Sequence, residues 1–446
     1  MIQTTDNNGG KRLSEISPDV GDDAIKVLYR IANKNIQDLV EDNPNLLLFP
    51  PKFEGNSDKI EDEHIFDFDG VSLRTGNIMG FLCAGDTQIS ITSRFQRGNN
   101  DNFLHYMLSK VLSINMFNFK HLTTNDSYLN YLIFVFAYYL KRIVKEEGIY
   151  KEYQQHIYNN PNLRGAIDVN SHLKKNMPFA GRVAFRTREH WLDNHITELI
   201  RHAIEYVRKQ PLADSILNSD NNIKQSVSAI VFATPSFNRN ERQKIIYQNV
   251  RPINHPYFTG YSILQKICLS ILRREKMSYG AENKKINGIL FDGAWLWEEY
   301  LAKILCDKLE LKHPENKLGS GRIPLFKDNN KCPRFPDFYN DEQKIVLDAK
   351  YKRNIDPRND INQIVTYLYC KRYAHGCFIM PKDSKGQEVY EKYGCLKGYD
   401  GIIHLLRLYI SKEIPLDKFC SEMIGNENEL IEVIHTLLQN GMQSLN

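Results

Sequence analysis

The sequence has no CxxC pair. Its eight cysteines stand apart at positions 83, 268, 306, 332, 370, 377, 395 and 420, which excludes a zinc ribbon or dithiol redox centre and suits a reducing compartment. No apolar stretch follows the polar start at residues 1–11, so a secretory leader is not expected. The longest apolar run, from Tyr131 to Leu140, is about half of what a membrane-spanning helix needs. No GxxxxGK[ST] phosphate loop occurs, so this chain is not expected to bind a nucleotide itself. Internal repeats and low-complexity tracts are absent too. Together these absences leave a cytoplasmic globular protein without membrane contact as the expectation.

What is present is ordinary in proportion but uneven in placement. The 446 residues, 42% apolar and 25% charged, exclude a disordered chain, a collagen and a coiled-coil rod, and allow about two or three domains. With 24 Tyr and 22 Phe, aromatic-rich cores are expected. Residues 1–70 hold 7 Lys/Arg against 15 Asp/Glu, a balance of −8, while the remainder holds 51 against 39, a balance of +12. An acidic head on a basic body is compatible with a protein partner at one end and a polyanion at the other, and equally with a plain solvated acidic surface.

Periodicity predicts a loose terminus over residues 1–20 and a helix over 22–38. Two strand-like runs at 77–84 and 87–93 flank Gly85-Asp86, a tight-turn dipeptide. Helices are expected at 101–114, 128–144, 190–208 and 263–274, with a linker at 278–285. The division that follows is a 21–150 N-terminal domain, β-rich and then helical; a helical middle region, 151–280; and a C-terminal domain, 281–446. The fold class is mixed α/β and α+β.

The chemistry concentrates after Phe291. A helix over 295–309 places Glu298 on its apolar stripe, while Glu299 points elsewhere and can pair with Lys303. An acid on a buried stripe needs compensation by a metal, an arginine or a backbone cap. The runs 334–339 and 344–350 read as a hairpin with Asp341-Glu342 at its tip. In that register Asp337 faces Val346, and Asp337 and Asp348 lie diagonally on one face. Lys350, two residues beyond Asp348, projects from the same face. Two converging carboxylates make a hard-oxygen site suited to Mg²⁺, and an adjacent ammonium can orient water or offset charge on a phosphate. Asp348 and Lys350 taken alone are also compatible with a solvated hairpin end. A helix over 360–373, with Asp360 as its N-cap, sets Gln363 and Tyr367 one turn apart on one side, and residues 376–381 read as a central strand. Arg334, Lys350, Lys352, Arg353, Arg358, Lys371 and Arg372 gather basic charge nearby, as a phosphate backbone requires and as any charged surface can also show.

Pro336-Asp337, Asp348-Ala349-Lys350 and Gln363-x-x-x-Tyr367, in that order, resemble the PD-(D/E)xK nuclease core. Glu298 in Leu296-Trp-Glu-Glu-Tyr-Leu301 falls where that superfamily often has an upstream helix acid. Ile91-Thr-Ser-Arg-Phe95 with Asn102-Phe-Leu-His-Tyr-Met107, and Leu163-Arg-Gly-Ala-Ile-Asp168 with Leu192-Asp-Asn-His-Ile196, are similar to the N-terminal and middle regions of the McrC family, LlaJI-type restriction subunits included. The resemblance spans roughly residues 60–410.

The resemblance implies a restriction-endonuclease-like αβββαβ core at 281–446 and a partner-binding, NTPase-stimulating role for 21–150. It implies an endonuclease subunit of an McrBC-like, NTP-dependent, modification-dependent restriction system, acting on double-stranded DNA with an McrB-like AAA+ GTPase ring. Asp337, Asp348, Glu298 and the Ala349 carbonyl would hold Mg²⁺ or Mn²⁺, with Glu299 as the alternative upstream acid. Lys350 would position or activate water, Gln363 and Tyr367 would support the scissile strand, and Arg334, Lys352, Arg353 and Arg358 would contact DNA. Two other readings stay open: a stand-alone nuclease of this core in repair or mobile elements, and a non-catalytic NTPase-activating adaptor.

Overall fold

A computed structural model of the chain describes residues 1–50, 63–85, 87–95, 102–112, 127–210, 216–218, 220–277, 286–314, 321–384, 388–413 and 415–443. Asp86 of the expected tight turn and the expected linker 278–285 lie outside the described residues. The chain forms two compact units: Met1–Tyr128 with Glu282–Asn446, and Leu129–Ala281. The N-terminal and C-terminal parts, assigned to separate domains by the sequence, therefore share one unit.

In that unit a mixed five-stranded sheet takes its strands from distant parts of the chain. Its order is Ile2–Thr5, Thr87–Thr92, Ile78–Ala84, Asn287–Asp292, Leu46–Phe49. The first residues, expected to be loose, are an edge strand parallel to Thr87–Thr92. The run Asn287–Asp292, buried at every position, pairs antiparallel with Ile78–Ala84 and parallel with Leu46–Phe49. Gly80 is required at this crossing, because a Cβ there would lie 2.1 Å from the Ile289 carbonyl oxygen. The expected helix over 22–38 is two helices, Asp22–Ile31 and Ile36–Asp42. The break is at Asn33, which takes a left-handed φ of 57° and exchanges side-chain hydrogen bonds with the Phe68 backbone. Leu28, Ile31, Leu39, Phe66, Leu82, Ile89 and Leu290 pack into one core, each large side chain contributing about 1.5–3 kcal/mol through burial.

The second sheet of this unit has the order Phe338–Asn340, Ile345–Ala349, His375–Lys382, Ile402–Tyr409, Tyr390–Cys395. Its first pair is an antiparallel ribbon, and Ile345–Ala349, His375–Lys382 and Ile402–Tyr409 run parallel. The upstream helix is Gly293–Leu309, with Asp292 as its side-chain N-cap. The helix after the ribbon, Asn359–Lys371, packs Ile364, Tyr367 and Leu368 onto Val346 and Phe378. Between the two helices the described residues contain two ladder strands rather than three, plus single bridges Lys312–Tyr339 and Ile323–Arg334. Helix Asn102–Leu112 brings Phe103 against Trp297 and Tyr300, and the buried Glu427 accepts from Tyr106 (2.8 Å) and Tyr300 (2.7 Å).

The other unit combines helices with a three-stranded sheet, ordered Glu152–Asn160, Val183–Trp191, Ala166–Ile167. Residues 151–280 are thus not wholly helical. Half-buried and exposed positions alternate along the first part of Glu152–Asn160, but the half-buried face is Glu152, Gln154, His156 and Tyr158, so its period of two carries no apolar stripe. The expected helix from 190 begins at His195, because Asn194 caps it and Thr197 bonds back to the cap. Asp168 caps Val169–Lys175, its side chain accepting from the Ser171 amide. No helix among the described residues is long and apolar enough to cross a membrane.

Candidate active site

The ribbon places the two aspartates. Its pairs are Phe338–Leu347, Tyr339–Val346 and Asn340–Ile345, so continuing the register sets Asp337 opposite Asp348. This corrects the expected pairing of Asp337 with Val346 by two residues. The turn is the reason: Asn340 Oδ1 accepts from the Glu342 and Gln343 amides at 2.9 and 3.0 Å, and Lys344 takes a left-handed φ of 52°. Four residues therefore close the ribbon instead of two. A slip of two keeps the facing side chains on the same side, so the carboxylates still converge, and more directly. Asp337 Oδ2 accepts from the Ala349 amide at 2.7 Å, fixing one end of the pair.

From Asp348 a polar chain runs outward. The Lys350 ammonium lies 2.6 Å from Asp348 Oδ2 and donates to Gln363 Oε1 at 2.9 Å. Gln363 Nε2 donates to Tyr367 Oη at 2.7 Å, and Tyr367 donates to the Phe335 carbonyl at 2.8 Å. The i,i+4 spacing on helix Asn359–Lys371 makes the Gln363–Tyr367 contact. Asp360 is not the N-cap of that helix but sits in its first turn. It accepts from the Asp356 amide, pairs with Lys352, and lies 3.8 Å from Lys350.

The charges are badly balanced. Asp348 has no exposed surface, and its Oδ1 has no hydrogen-bond donor among the described residues; burial raises its pKa despite Lys350. Enclosure, then Glu298 and Asp348, push Asp337 well above the usual carboxylate range, against the pull of Lys350 and the Ala349 amide. Burial disfavours the Lys350 ammonium, but Asp348 and Asp337 outweigh it and raise its pKa. Glu298 is half-buried on the upstream helix, and its charge is felt at Asp337. Trp297 and Leu296, not Trp295, fill the buried stripe beside it. Glu299 lies 3.8 Å from His313 Nε2. His313, which the sequence reading missed, donates Nδ1–H to the Asp337 carbonyl at 2.9 Å and stacks on Phe338 at 4.9 Å. Burial works against its charge, but Glu299 and Asp337 raise its pKa. Its partners are 14 and 24 positions away, so no local pattern marks it.

The expected DNA-contact residues divide. Arg358 is exposed. Arg334 is half-buried, bonding the Cys332 and Pro333 carbonyls. Lys352 is engaged by Asp360, and Arg353 by Asp383 at 3.4 Å and the Arg94 carbonyl at 2.9 Å.

Among the described residues no three His, Cys, Asp or Glu side chains form a ready metal cluster. The aspartate pair nevertheless fits a hard divalent cation. A buried carboxylate oxygen without a donor faces a second raised carboxyl, and one ammonium does not neutralise them. Mg²⁺ is commonly held by only one or two carboxylates with water and phosphate completing its shell.

Two solved structures from Thermococcus gammatolerans are similar to this chain. One, described as a half-complex of McrB AAA+ hexamers with bound McrC, shares 15% identity with a TM-score of 0.46, covering 95% of this chain and 99% of that one. The other, the McrBC complex seen by cryo-EM, shares 13% identity with a TM-score of 0.35, covering 69% and 88%. No curated protein matches the chain. A family model described as McrBC 5-methylcytosine restriction system component matches residues 73–381, well over half of the 446, and the chain belongs to that family.

Proposed function

We propose that this chain is the Mg²⁺-dependent DNA endonuclease subunit of an McrBC-type restriction system, working with an McrB-like AAA+ GTPase. The supporting observation is the convergence of Asp337, Asp348 and Lys350 at the end of one ribbon, with Asp348 Oδ1 buried and lacking a donor. Asp337 and Asp348 would hold the cation, with Glu298 and the Ala349 carbonyl beside them. Bound there, Mg²⁺ supplies the Lewis acid for phosphodiester hydrolysis.

The chain's own groups do the rest. Lys350, gripped by Asp348 and Gln363, presents an ammonium to the attacking water and to charge building on the phosphate. Tyr367 locks the Gln363 amide so that its oxygen faces Lys350. Arg358 and Arg334 supply positive charge for the backbone. The family membership supports modification-dependent restriction, and an McrB-like AAA+ protein, named with McrC in the description of the half-complex, is the partner to try. The test is cleavage of 5-methylcytosine-containing plasmid by the full chain with an McrB-type GTPase, GTP and Mg²⁺. Cleavage should require all of them; efficient cutting without the GTPase would instead mark a stand-alone nuclease.

A further inference from the structure

Lys350 stands where the ribbon strand has ended and the chain leaves the sheet. Its amide is held by the Ile379 carbonyl at 2.9 Å, and the Trp297 indole reaches the same carbonyl at 3.4 Å. On its other side the next residue, Tyr351, is gripped from the far end of the sequence. The Arg94 guanidinium donates through Nη2 to the Tyr351 carbonyl and, at 3.1 Å, to Asn77 Oδ1. Its carbon also lies 4.6 Å from the centre of the Tyr351 ring. The Tyr351 hydroxyl meets Ser93 Oγ at 2.7 Å, and Phe95 packs edge-on against the ring at 5.0 Å. Arg353 closes the clamp by donating to the Arg94 carbonyl at 2.9 Å. Gly293 leaves room for it, since a Cβ there would meet the Tyr351 ring at 2.9 Å.

Arg94 is itself held rigidly. Asp6, with no exposed surface, accepts from the Arg94 amide at 2.6 Å and faces its guanidinium at 3.3 Å. A buried ion pair is a costly way to stabilise a fold, because apolar side chains of similar size do as well or better. What it provides is a planar fork that meets Asp6, Asn77 and the Tyr351 carbonyl at once and stacks on a ring. A lysine cannot reproduce that set.

The geometry points to Arg94 as a positioning residue: through the Tyr351 carbonyl and ring it fixes the backbone that carries Lys350, so the N-terminal sheet helps set the nuclease site. This rests on the nuclease reading above and adds to it a route by which the N-terminal sheet governs cleavage.

The experiment compares Arg94→Lys with Asp348→Ala in the full chain with its GTPase, GTP, Mg²⁺ and methylated plasmid. It measures single-turnover cleavage, DNA affinity and hydrogen exchange over residues 349–354. Arg94→Lys is expected to slow cleavage about 10- to 100-fold, leave DNA affinity within about twofold, and speed exchange in that segment. A fold that is merely weakened would instead speed exchange throughout the first sheet. If Arg94→Lys does not fold, Ser93→Ala removes one neutral contact of the clamp and should slow cleavage about threefold. Wild-type cleavage by the Arg94 or Ser93 variant, with Asp348→Ala inactive, overturns the positioning role and leaves the nuclease reading intact. Wild-type cleavage by Asp348→Ala overturns the nuclease reading and the positioning role with it.

Discussion

Two aspartates from the two units show how differently a buried acid can be treated. Asp168, in Leu163-Arg-Gly-Ala-Ile-Asp168, is 4% exposed. Its oxygens accept from Arg186 at 2.9 Å, the Ser171 amide at 3.1 Å and the Ser171 hydroxyl at 2.9 Å. Arg186 above all, then Ser171, lower its pKa to about 2. Asp348 has no exposed surface, one oxygen without a donor, and a pKa that burial raises. Both lie in stretches that resemble a family pattern, yet only one is electrostatically unfinished. A satisfied acid holds structure; an unsatisfied one is a place for a ligand to supply what the fold withholds.

The contrast breaks first at Asp348. Asp348→Ala should lower cleavage by about 10³-fold or more with little loss of thermal stability, because losing its pairing with Lys350 is offset by relief of the repulsion between two buried carboxylates that share that one ammonium. A large fall in the thermal midpoint would put Asp348 in the same class as Asp168. Lys350→Ala should cost about 10²-fold in cleavage rate while DNA affinity measured in Ca²⁺ stays near wild type. Equal losses in rate and affinity would make Lys350 a DNA contact only. Asp168→Ala should do the reverse of Asp348→Ala, lowering the thermal midpoint by about 3 °C without touching cleavage chemistry. The Asp168 contribution is also pH-dependent in a fixed sense. Its folded pKa lies below the ordinary aspartate value of 3.8, so its stabilisation is present above that pH and fades as pH falls towards about 2.

Much of the candidate site was legible because its groups are close in sequence and obey simple periods. Asp348 and Lys350 share a face by alternation, and Gln363 and Tyr367 meet by helical spacing. The ribbon register was misread because the turn depends on Asn340 bonding two later amides and on Lys344 going left-handed, neither of which alternation encodes. His313 and Arg94 were illegible as partners of the site, since their contacts close loops of 14 to 257 residues. For the same reason Ile2–Thr5 and Asn287–Asp292 did not announce a shared sheet. Parallel pairing leaves no turn signal, and a short buried run reads alike wherever it lands.

The smallest expected effect lies at the opposite end of the sheet that carries Asp348. His375 Nδ1 faces His404 Nε2 at 3.0 Å, and Tyr390 reaches His404 Nδ1 at 3.3 Å. The short contact is one N–H···N hydrogen bond, in which one imidazole donates and the other accepts. Burial, then His375 and Lys392, lower the pKa of His404 to about 4, and burial lowers that of His375. Both folded pKa values lie below 6.5, so the unfolded chain binds more protons between pH 6.5 and about 4. The pair's stabilisation is therefore full above pH 6.5 and lost as pH falls through that window. His202 in the other unit shifts the same way, to about 4. His404→Gln should flatten the decline of the thermal midpoint over this range without abolishing it, and should leave cleavage at neutral pH unchanged. An unaltered slope would mean the two imidazoles charge as readily in the fold as out of it, and would place them with the satisfied groups rather than the poised ones.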